Sequence, residues 1–208
     1  MKQVTDTVYM FESTKSSRAF LVKLKNRMII IDTSTPGKGT QMLAELTAGG
    51  MQASSITDIL LTHHDADHIG SAAYLQAATG AKLWMHKKDI ANTMGRKKRP
   101  LFKSFIGTFM KPELPEITGI IAANGEIVPG ILAIQAPGHT PGHTVYLNDG
   151  VLFSGDAVKV KKDGTLRLLP GFLTADKKTA LESMQAISQL NYTLICPAHQ
   201  EPKHFTAL

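Results

Sequence analysis

The chain has 208 residues, 43% of them hydrophobic and 19% charged, and 23 Lys+Arg against 17 Asp+Glu give a net charge of +6. This length and composition are ordinary for one globular domain with a buried core. No apolar run reaches the roughly 20 residues of a membrane-spanning helix, and the single cysteine, Cys196, excludes an internal disulfide. The first 20 residues lack the apolar core of a secretory signal, so we expect a cytoplasmic protein without a membrane partner.

Apolar segments that end in polar residues or turns predict five buried strands. These segments are 28–34, 59–62, 131–140, 151–157 and 192–201. Helical patterns lie between them, at 38–50, 67–79 and 174–190. Further β-rich stretches cover 2–10, 18–24 and 143–153. Strands that alternate with helices predict a layered α/β domain.

Residues 87–118 fit this alternation poorly, and we interpret them as an inserted lid. Within them, 87–103 holds seven Lys/Arg against one acid, Asp89. A solvated helix face or loop is the plain interpretation of this cluster. Contact with nucleic-acid phosphates is the alternative, but no aromatic residues interleave the charges at 96–99, as a stacking platform requires.

Histidine and aspartate side chains gather at the carboxyl ends of the predicted strands. Five of them fall in the stretch THHDADH, residues 62–68. Seven nitrogen or oxygen donors from four points in the chain are His63, Asp65, Asp67, His68, His139, Asp156 and His199. Because strand ends converge at one rim of an α/β sheet, we expect these donors to form one site. Imidazole and carboxylate donors without a thiolate suit Zn²⁺, Mn²⁺ or Fe²⁺.

The spacing within 62–68 favours two ions. His63 and Asp65 are two positions apart, so on an extended strand end they project to the same side. Asp67 and His68 begin a helix and turn toward a second position. A pair of ions lowers the pKa of a shared water and clamps both ends of a displacement.

The motifs resemble those of the metallo-β-lactamase superfamily and occur in the same order. They are the strand ending at Asp32, HHDADH, PGHTPGH, SGDA and PAHQ, and they span residues 28–201. The resemblance implies an αββα four-layer sandwich, formed here by a single domain over residues 1–208 with the lid inserted. It also implies two divalent metal ions, with zinc expected first and manganese or iron as alternatives.

The same resemblance assigns the ligands. His63, Asp65 and His139 would hold the first ion. Asp67, His68 and His199 would hold the second, with Asp156 bridging. Asp32 would organise the site without binding metal.

Asp65 departs from the family pattern His-x-His-x-Asp-His, which has a histidine at this position. His64 is an alternative ligand, but its side chain should point away from the side shared by His63 and Asp65, so we interpret it as a supporting or packing residue. His143 lies beyond the ligand position in PGHTPGH, and we interpret it as a supporting or surface residue. The charges of three ligand carboxylates, two divalent ions and a bridging hydroxide sum to zero. With a histidine in place of Asp65, the same centre would be one charge unit more positive. We therefore expect a higher kinetic pKa and a stronger preference for Mn²⁺ or Fe²⁺.

The expected activity is hydrolysis of an ester, lactone, thioester or phosphoester of a small molecule by a metal-bridging hydroxide, with Asp67 and Asp156 as catalytic residues. The resemblance suggests glyoxalase II-like thioesterases and acyl-homoserine lactone lactonases as neighbours. The short chain disfavours the first, since glyoxalase II uses a long C-terminal extension for glutathione. Candidate substrate contacts are Lys159 and the lid side chains Phe102, Phe105 and Phe109, which would accept an acyl chain or simply pack the lid down.

Two other functions are compatible with these motifs. A carboxylate at position 65 is similar to the glutamate of flavodiiron proteins, so a di-iron or iron redox protein is one alternative, although the chain has no room for a flavodoxin-like domain. A nucleic-acid phosphodiesterase is the other. We expect a small-molecule substrate rather than nucleic acid, and a homo-oligomer is compatible with the sequence.

Overall fold

A computed structural model describes residues 1–93 and 113–204 of the chain. The strands are β1 (Lys2–Gln3), β2 (Val8–Met10), β3 (Phe20–Leu24), β4 (Arg27–Ile31), β5 (Ile56–Leu60), β6 (Lys82–His86), β7 (Gly119–Ile121), β8 (Gly125–Val128), β9 (Ile131–Gln135), β10 (Thr144–Asn148), β11 (Val151–Gly155), β12 (Lys159–Val160), β13 (Leu166–Arg167), β14 (Leu194–Pro197) and β15 (Lys203–His204). The helices are α1 (Gly39–Ala48), α2 (Ala66–Ile69), α3 (Ala72–Thr79), α4 (Lys87–Thr93) and α5 (Lys177–Ser188).

Two large sheets organise the domain. The first has the order β1-β2-β3-β4-β5-β6-β7, the second the order β15-β14-β11-β10-β9-β8, and β12 and β13 form a separate hairpin. Strands β4 to β7 run parallel to one another, and β11 runs parallel to β14. The loops that follow β4 and β5 therefore leave the first sheet at one edge, and those that follow β11 and β14 leave the second sheet at one edge.

Both faces of the central strands are buried, which explains their unbroken apolar sequences. In β4, Ile29 and Ile31 pack with Phe153 of β11 between the two sheets. Ile30 faces the other way and packs beneath α1 and α3. On the outer face of the second sheet, Leu152 packs with Ile187 of α5. These three apolar layers separate helices, sheet, sheet and helix, and the predicted αββα sandwich is confirmed.

The predicted strands are present but shorter than expected at their carboxyl ends. The segment predicted as 28–34 ends as a strand at Ile31, because Asp32 adopts a left-handed backbone with φ of 56°. The prediction of one helix over 67–79 is wrong. The chain forms α2 and α3 instead, since the Gly70 N–H donates to the Ser34 carbonyl oxygen rather than continuing the helical ladder.

The predicted lid, 87–118, is described only at its two ends. Its first seven residues form α4, and its last residues lead into β7. Phe102, Phe105 and Phe109 lie outside the described residues, so their role stays a prediction. Within the described part of the chain, no helix has the length and apolarity needed to cross a bilayer.

Candidate metal centre

The loops that follow strands of both sheets bring the seven predicted donors together. The loop after β5 carries His63 and Asp65 and continues into α2, which carries Asp67 and His68. The second sheet contributes His139 after β9, Asp156 after β11 and His199 after β14. The site therefore lies where the carboxyl ends of strands from the two sheets meet.

His63, Asp65 and His139 form what we call the first donor group. One ligand atom from each lies within 4.8 Å of the others. His139 Nε2 is 3.2 Å, and His63 Nε2 is 3.6 Å, from Asp65 Oδ2. Both imidazoles thus converge on the same carboxylate oxygen, and the binding of an ion by these three residues stays a prediction.

Asp67, His68 and His199 form the second donor group, with ligand atoms again within 4.8 Å of one another. Asp67 Oδ2 lies 3.4 Å from His199 Nε2 and 3.8 Å from His68 Nε2. The side chains of Asp67 and His199 are 28% and 27% exposed, whereas His63 and His139 are buried. The second group is the more open half of the site.

Asp156 lies between the two groups. Its Oδ1 is 3.2 Å from His199 Nε2 in the second group. Its Oδ2 is 3.5 Å from His139 Nε2 in the first group and 3.8 Å from His68 Nε2. One carboxylate thus faces both groups, and its role as a bridging ligand stays a prediction.

Asp32 fixes the ring orientation of two histidines from behind. It accepts hydrogen bonds from the N–H and hydroxyl of Thr62 and from His68 Nδ1, each at 2.8 Å. Because the Thr62 hydroxyl donates to Asp32, the 3.0 Å contact with His63 Nδ1 makes Thr62 Oγ1 the acceptor there. The Nδ1 atoms of His63 and His68 therefore carry hydrogens, and both rings direct Nε2 toward the donor groups.

His199 is oriented in the same way by the backbone. Its Nδ1 donates to the carbonyl oxygen of Ser16 at 2.6 Å, so Nε2 faces the second group. The hydroxyl of the next residue, Ser17, lies 3.3 Å from His68 Nε2. The loop before β3 thus supports the second donor group.

Burial and charge shift the pKa values of these side chains in opposite directions. Burial and the neighbouring His68 hold the pKa of His63 well below its usual range, so its Nε2 lone pair is available. For His68, burial lowers the pKa, but the carboxylates of Asp32, Asp67 and Asp156 outweigh it and raise the pKa to about 10. Burial raises the pKa of Asp156, but three histidines hold it well below the usual range and keep the carboxylate ionised.

His143 and His64 lie beside the donor groups and outside them. His143 Nε2 accepts a hydrogen bond from the Asp156 N–H at 3.1 Å, and its ring stacks on His63 with centroids 4.9 Å apart. Burial lowers the pKa of His143 to about 3, which keeps it a neutral acceptor. His64 Nδ1 lies 3.0 Å from Asp89 Oδ2, which belongs to neither donor group. Lys159 is half-buried at the start of β12, and its contact with substrate stays a prediction.

Comparison with known proteins places this arrangement in a family. Residues 14–199 match the sequence model of the metallo-beta-lactamase superfamily. The chain belongs to the metallo-beta-lactamase superfamily. It is 24% identical over 228 residues to the probable metallo-hydrolase YflN of Bacillus subtilis, covering 92% of this chain and 86% of that protein.

A second relative carries a more specific name. The chain is 31% identical over 182 residues to a hydroxyacylglutathione hydrolase of Xanthomonas axonopodis pv. citri, covering 86% of this chain and 59% of that enzyme. The chain spans between 46% and 59% of the length of the hydroxyacylglutathione hydrolases described by these matches. The solved structure of TTHA1623 in a di-iron-bound form shares the fold, with a TM-score of 0.71, 24% identity and coverage of 90% of this chain and 89% of that one.

The residues present fit the divalent cations that the superfamily fold implies. The donor set is four imidazoles and three carboxylates, without a thiolate. His63 Nε2 is fully buried and makes no hydrogen bond within the described part of the chain. A buried polar atom without a partner is costly, and a cation between His63, Asp65 and His139 would supply that partner.

Four residues with a role around the donors were not identified from the sequence. Thr62 and Ser17 contact the metal-facing histidines, and the Tyr146 hydroxyl donates to the Leu61 carbonyl oxygen at 2.6 Å. The fourth, Asp89, is buried although it lies in a basic stretch. For Asp89, the available sequence signal was a single acid among basic residues. For Thr62, Ser17 and Tyr146 the sequence offers no signal, because their partners are known only from the folded structure.

Proposed function

We propose that this superfamily member is a dinuclear metal-dependent hydrolase that cleaves an ester, lactone, thioester or phosphoester bond in a small cytoplasmic substrate. The observation that carries the proposal is the convergence of seven side chains into two donor groups that share the Asp156 carboxylate. Zinc is the first candidate metal, and manganese and iron are the alternatives.

Each donor group would hold one cation, and Asp156 would face both. When bound, such a pair lowers the pKa of a water held between the ions and polarises the scissile bond. His63, His68 and His199 are pre-oriented for this task by Thr62, Asp32 and the Ser16 carbonyl oxygen. That pre-orientation limits the rearrangement needed when metal and substrate enter.

Asp67 is the side chain best placed to move a proton. Its carboxylate is 28% exposed, compared with 8% for Asp156, and it lies at the open side of the site. The Asp67 carboxylate would accept the proton of the attacking water and pass it to solvent or to the leaving group. Asp156, held through its backbone N–H by His143, would keep a fixed negative charge between the two groups.

Acyl substrates are the first class to test. The name hydroxyacylglutathione hydrolase, borne by relatives such as the Xanthomonas protein, supports an acyl bond, and a lactone has the same carbonyl electrophile. Lys159 and the side chains of the predicted lid would provide the specificity contacts.

The redox alternative has one observation in its favour. TTHA1623, which shares this fold, has been solved in a di-iron-bound form, and Asp65 adds an oxygen donor of the kind that harder ions prefer. Iron content combined with oxygen uptake, in a preparation that hydrolyses nothing, would favour redox chemistry over hydrolysis.

Metal analysis paired with a substrate panel tests the proposal. The wild-type protein should retain two divalent ions and cleave at least one member of a panel of lactones, thioesters and phosphodiesters. Asp156→Ala should lose that activity, because it removes the carboxylate that both groups share. Asp6→Ala, a change at an exposed carboxylate, is the matched control and should keep full activity. A metal-loaded wild type that cleaves no member, or an Asp156→Ala variant with unchanged turnover, contradicts the proposal.

A further inference from the structure

Asp89 is a fully buried carboxylate near the site that belongs to neither donor group. It lies in the first turn of α4, close after the end of β6. Its exposed fraction is 0%. Buried carboxylates are costly unless they are paired or well hydrogen-bonded, so the partners of Asp89 indicate what it does.

One set of partners belongs to the loop that carries His139. The Thr140 hydroxyl donates to Asp89 Oδ2 at 2.7 Å, and the Gly142 N–H donates to Asp89 Oδ1 at 2.7 Å. Packing here is close, because a Cβ on Gly142 would stand 2.7 Å from Asp89 Oδ1. Asp89 therefore holds the loop by both of its oxygens.

The other set belongs to the loop after β5. The His64 N–H donates to Asp89 Oδ2 at 3.3 Å, and His64 Nδ1 lies 3.0 Å from the same oxygen. This second approach lacks hydrogen-bond geometry, so it places the His64 ring beside Asp89 by charge and packing. The opposite ring atom, His64 Nε2, then lies 3.8 Å from Asp65 Oδ1, the oxygen not directed at His63 and His139.

The contacts of Asp89 join the two loops that form the first donor group. The two loops that Asp89 joins carry His63, Asp65 and His139, which together are the first donor group. Within the described part of the chain, the Asp89 side chain makes no hydrogen bond to a residue of the second group, which is supported instead by Asp32, Ser16 and Ser17.

We propose that Asp89 is a positioning residue for the first cation, which acts by fixing the distance between the His63–Asp65 loop and the His139 loop and by orienting His64 beside Asp65. The proposal rests on the dinuclear centre proposed above. Burial raises the pKa of Asp89, but contacts with His64, Thr140 and Gly142 outweigh it and lower the pKa, so the carboxylate stays ionised and accepts from all its partners. An asparagine at this position would present N–H groups to some of these donors.

The test is to measure the two Zn²⁺ affinities separately by chelator competition. In the full-length protein, Asp89→Asn should weaken one of the two affinities by roughly 10- to 100-fold and change the other by less than about twofold. To assign the weakened site, Asp89→Asn is combined with Asp67→Ala, which leaves the first donor group, and with Asp65→Ala, which leaves the second. The loss should appear in the first combination and be absent from the second. With Co²⁺, the visible absorption of the first site should shift in Asp89→Asn.

Asp58→Asn is the matched control. Asp58 is also a buried carboxylate, bonded to Arg27 and to Trp84 Nε1 at 2.9 Å each, and it lies in β5 before the metal-bearing loop. Its substitution should lower the melting temperature and leave both Zn²⁺ affinities unchanged. If Asp89→Asn does not fold, Thr140→Val takes its place, because it removes one donor from the same network.

The outcomes distinguish this inference from the proposed function. A wild type that binds no ion contradicts the dinuclear centre itself. A wild type that binds two ions and hydrolyses its substrate, while Asp89→Asn leaves both affinities unchanged or lowers them equally, contradicts the positioning role alone.

Discussion

The substitution Asp32→Asn tests the arrangement behind the metal centre most directly. Asp32 is buried and accepts from three donors at 2.8 Å, namely the Thr62 N–H, the Thr62 hydroxyl and His68 Nδ1. An amide replaces one acceptor oxygen with an N–H group, so in either orientation at least one buried donor loses its acceptor. Loss of one hydrogen bond to a charged group costs roughly 1.5–3 kcal/mol.

That cost sets the expected size of both effects. For a chain of about 200 residues, 1 kcal/mol shifts the melting temperature by about 2–4 °C, so the metal-free variant should melt about 3–12 °C below the wild type. Substitution of a residue that orients metal ligands should also weaken Zn²⁺ binding by roughly 10- to 100-fold, or about 1.4–2.7 kcal/mol.

Thermal melts after chelation and Zn²⁺ competition measure the two effects. Asp6→Asn, at an exposed position, controls for the loss of a negative charge. A folded Asp32→Asn protein with wild-type melting temperature and wild-type affinities would refute the assignment of Asp32 as the residue that orients His68.

Three further results are expected. Asp65→His should raise the affinity for Zn²⁺ relative to Mn²⁺ and Fe²⁺ and lower the kinetic pKa, because it makes the centre one charge unit more positive. An unchanged metal preference and pH–rate profile would show that position 65 does not set them. In metal-free protein, the pKa of His68 is raised to about 10, so its imidazole holds a proton that a cation must displace. At pH 8, Zn²⁺ binding should therefore release protons, and the Zn²⁺ affinity should rise with pH. Equal calorimetric heats of binding in two buffers of different ionisation enthalpy would contradict this. Gly155→Ala should lower the free energy of unfolding by about 1–3 kcal/mol or more in chemical denaturation. Gly155 has φ of 48°, and the new Cβ would lie 2.7 Å from Thr62 Oγ1. A wild-type denaturation midpoint would be inconsistent with that close approach.

The fold and the donor positions could be predicted from the sequence because their signals are local. Runs such as MIII before Asp32 are apolar at every position, which indicates strands buried on both faces. His63 and Asp65 come directly after such a run, so the strand end itself brings them to the rim. Topology then brings His139 and His199 to the same place.

The supporting contacts could not be predicted, because they join segments far apart in the chain. Tyr146 and Leu61 are separated by 85 positions, and nothing at either position indicates the hydrogen bond between them. Asp89 lies among lysines and arginines, which is typical of a solvated face, yet its partners come from two other loops. The break between α2 and α3 likewise depends on the Gly70 N–H meeting the Ser34 carbonyl oxygen.

The joint between the two sheets has a consequence for how the protein loses function. The Thr144 N–H donates to the Thr62 carbonyl oxygen directly beneath the donors, and His63 and His139 reach the same place from opposite halves of the molecule. Ions held there would act as cross-links between the halves, worth about 2.7 kcal/mol when free metal stands at 100 times its dissociation constant. A substitution that separates the two sheets, however remote from the ligands, should therefore first be detected as loss of bound metal. Prolonged chelation of the unmodified protein should likewise lower its stability.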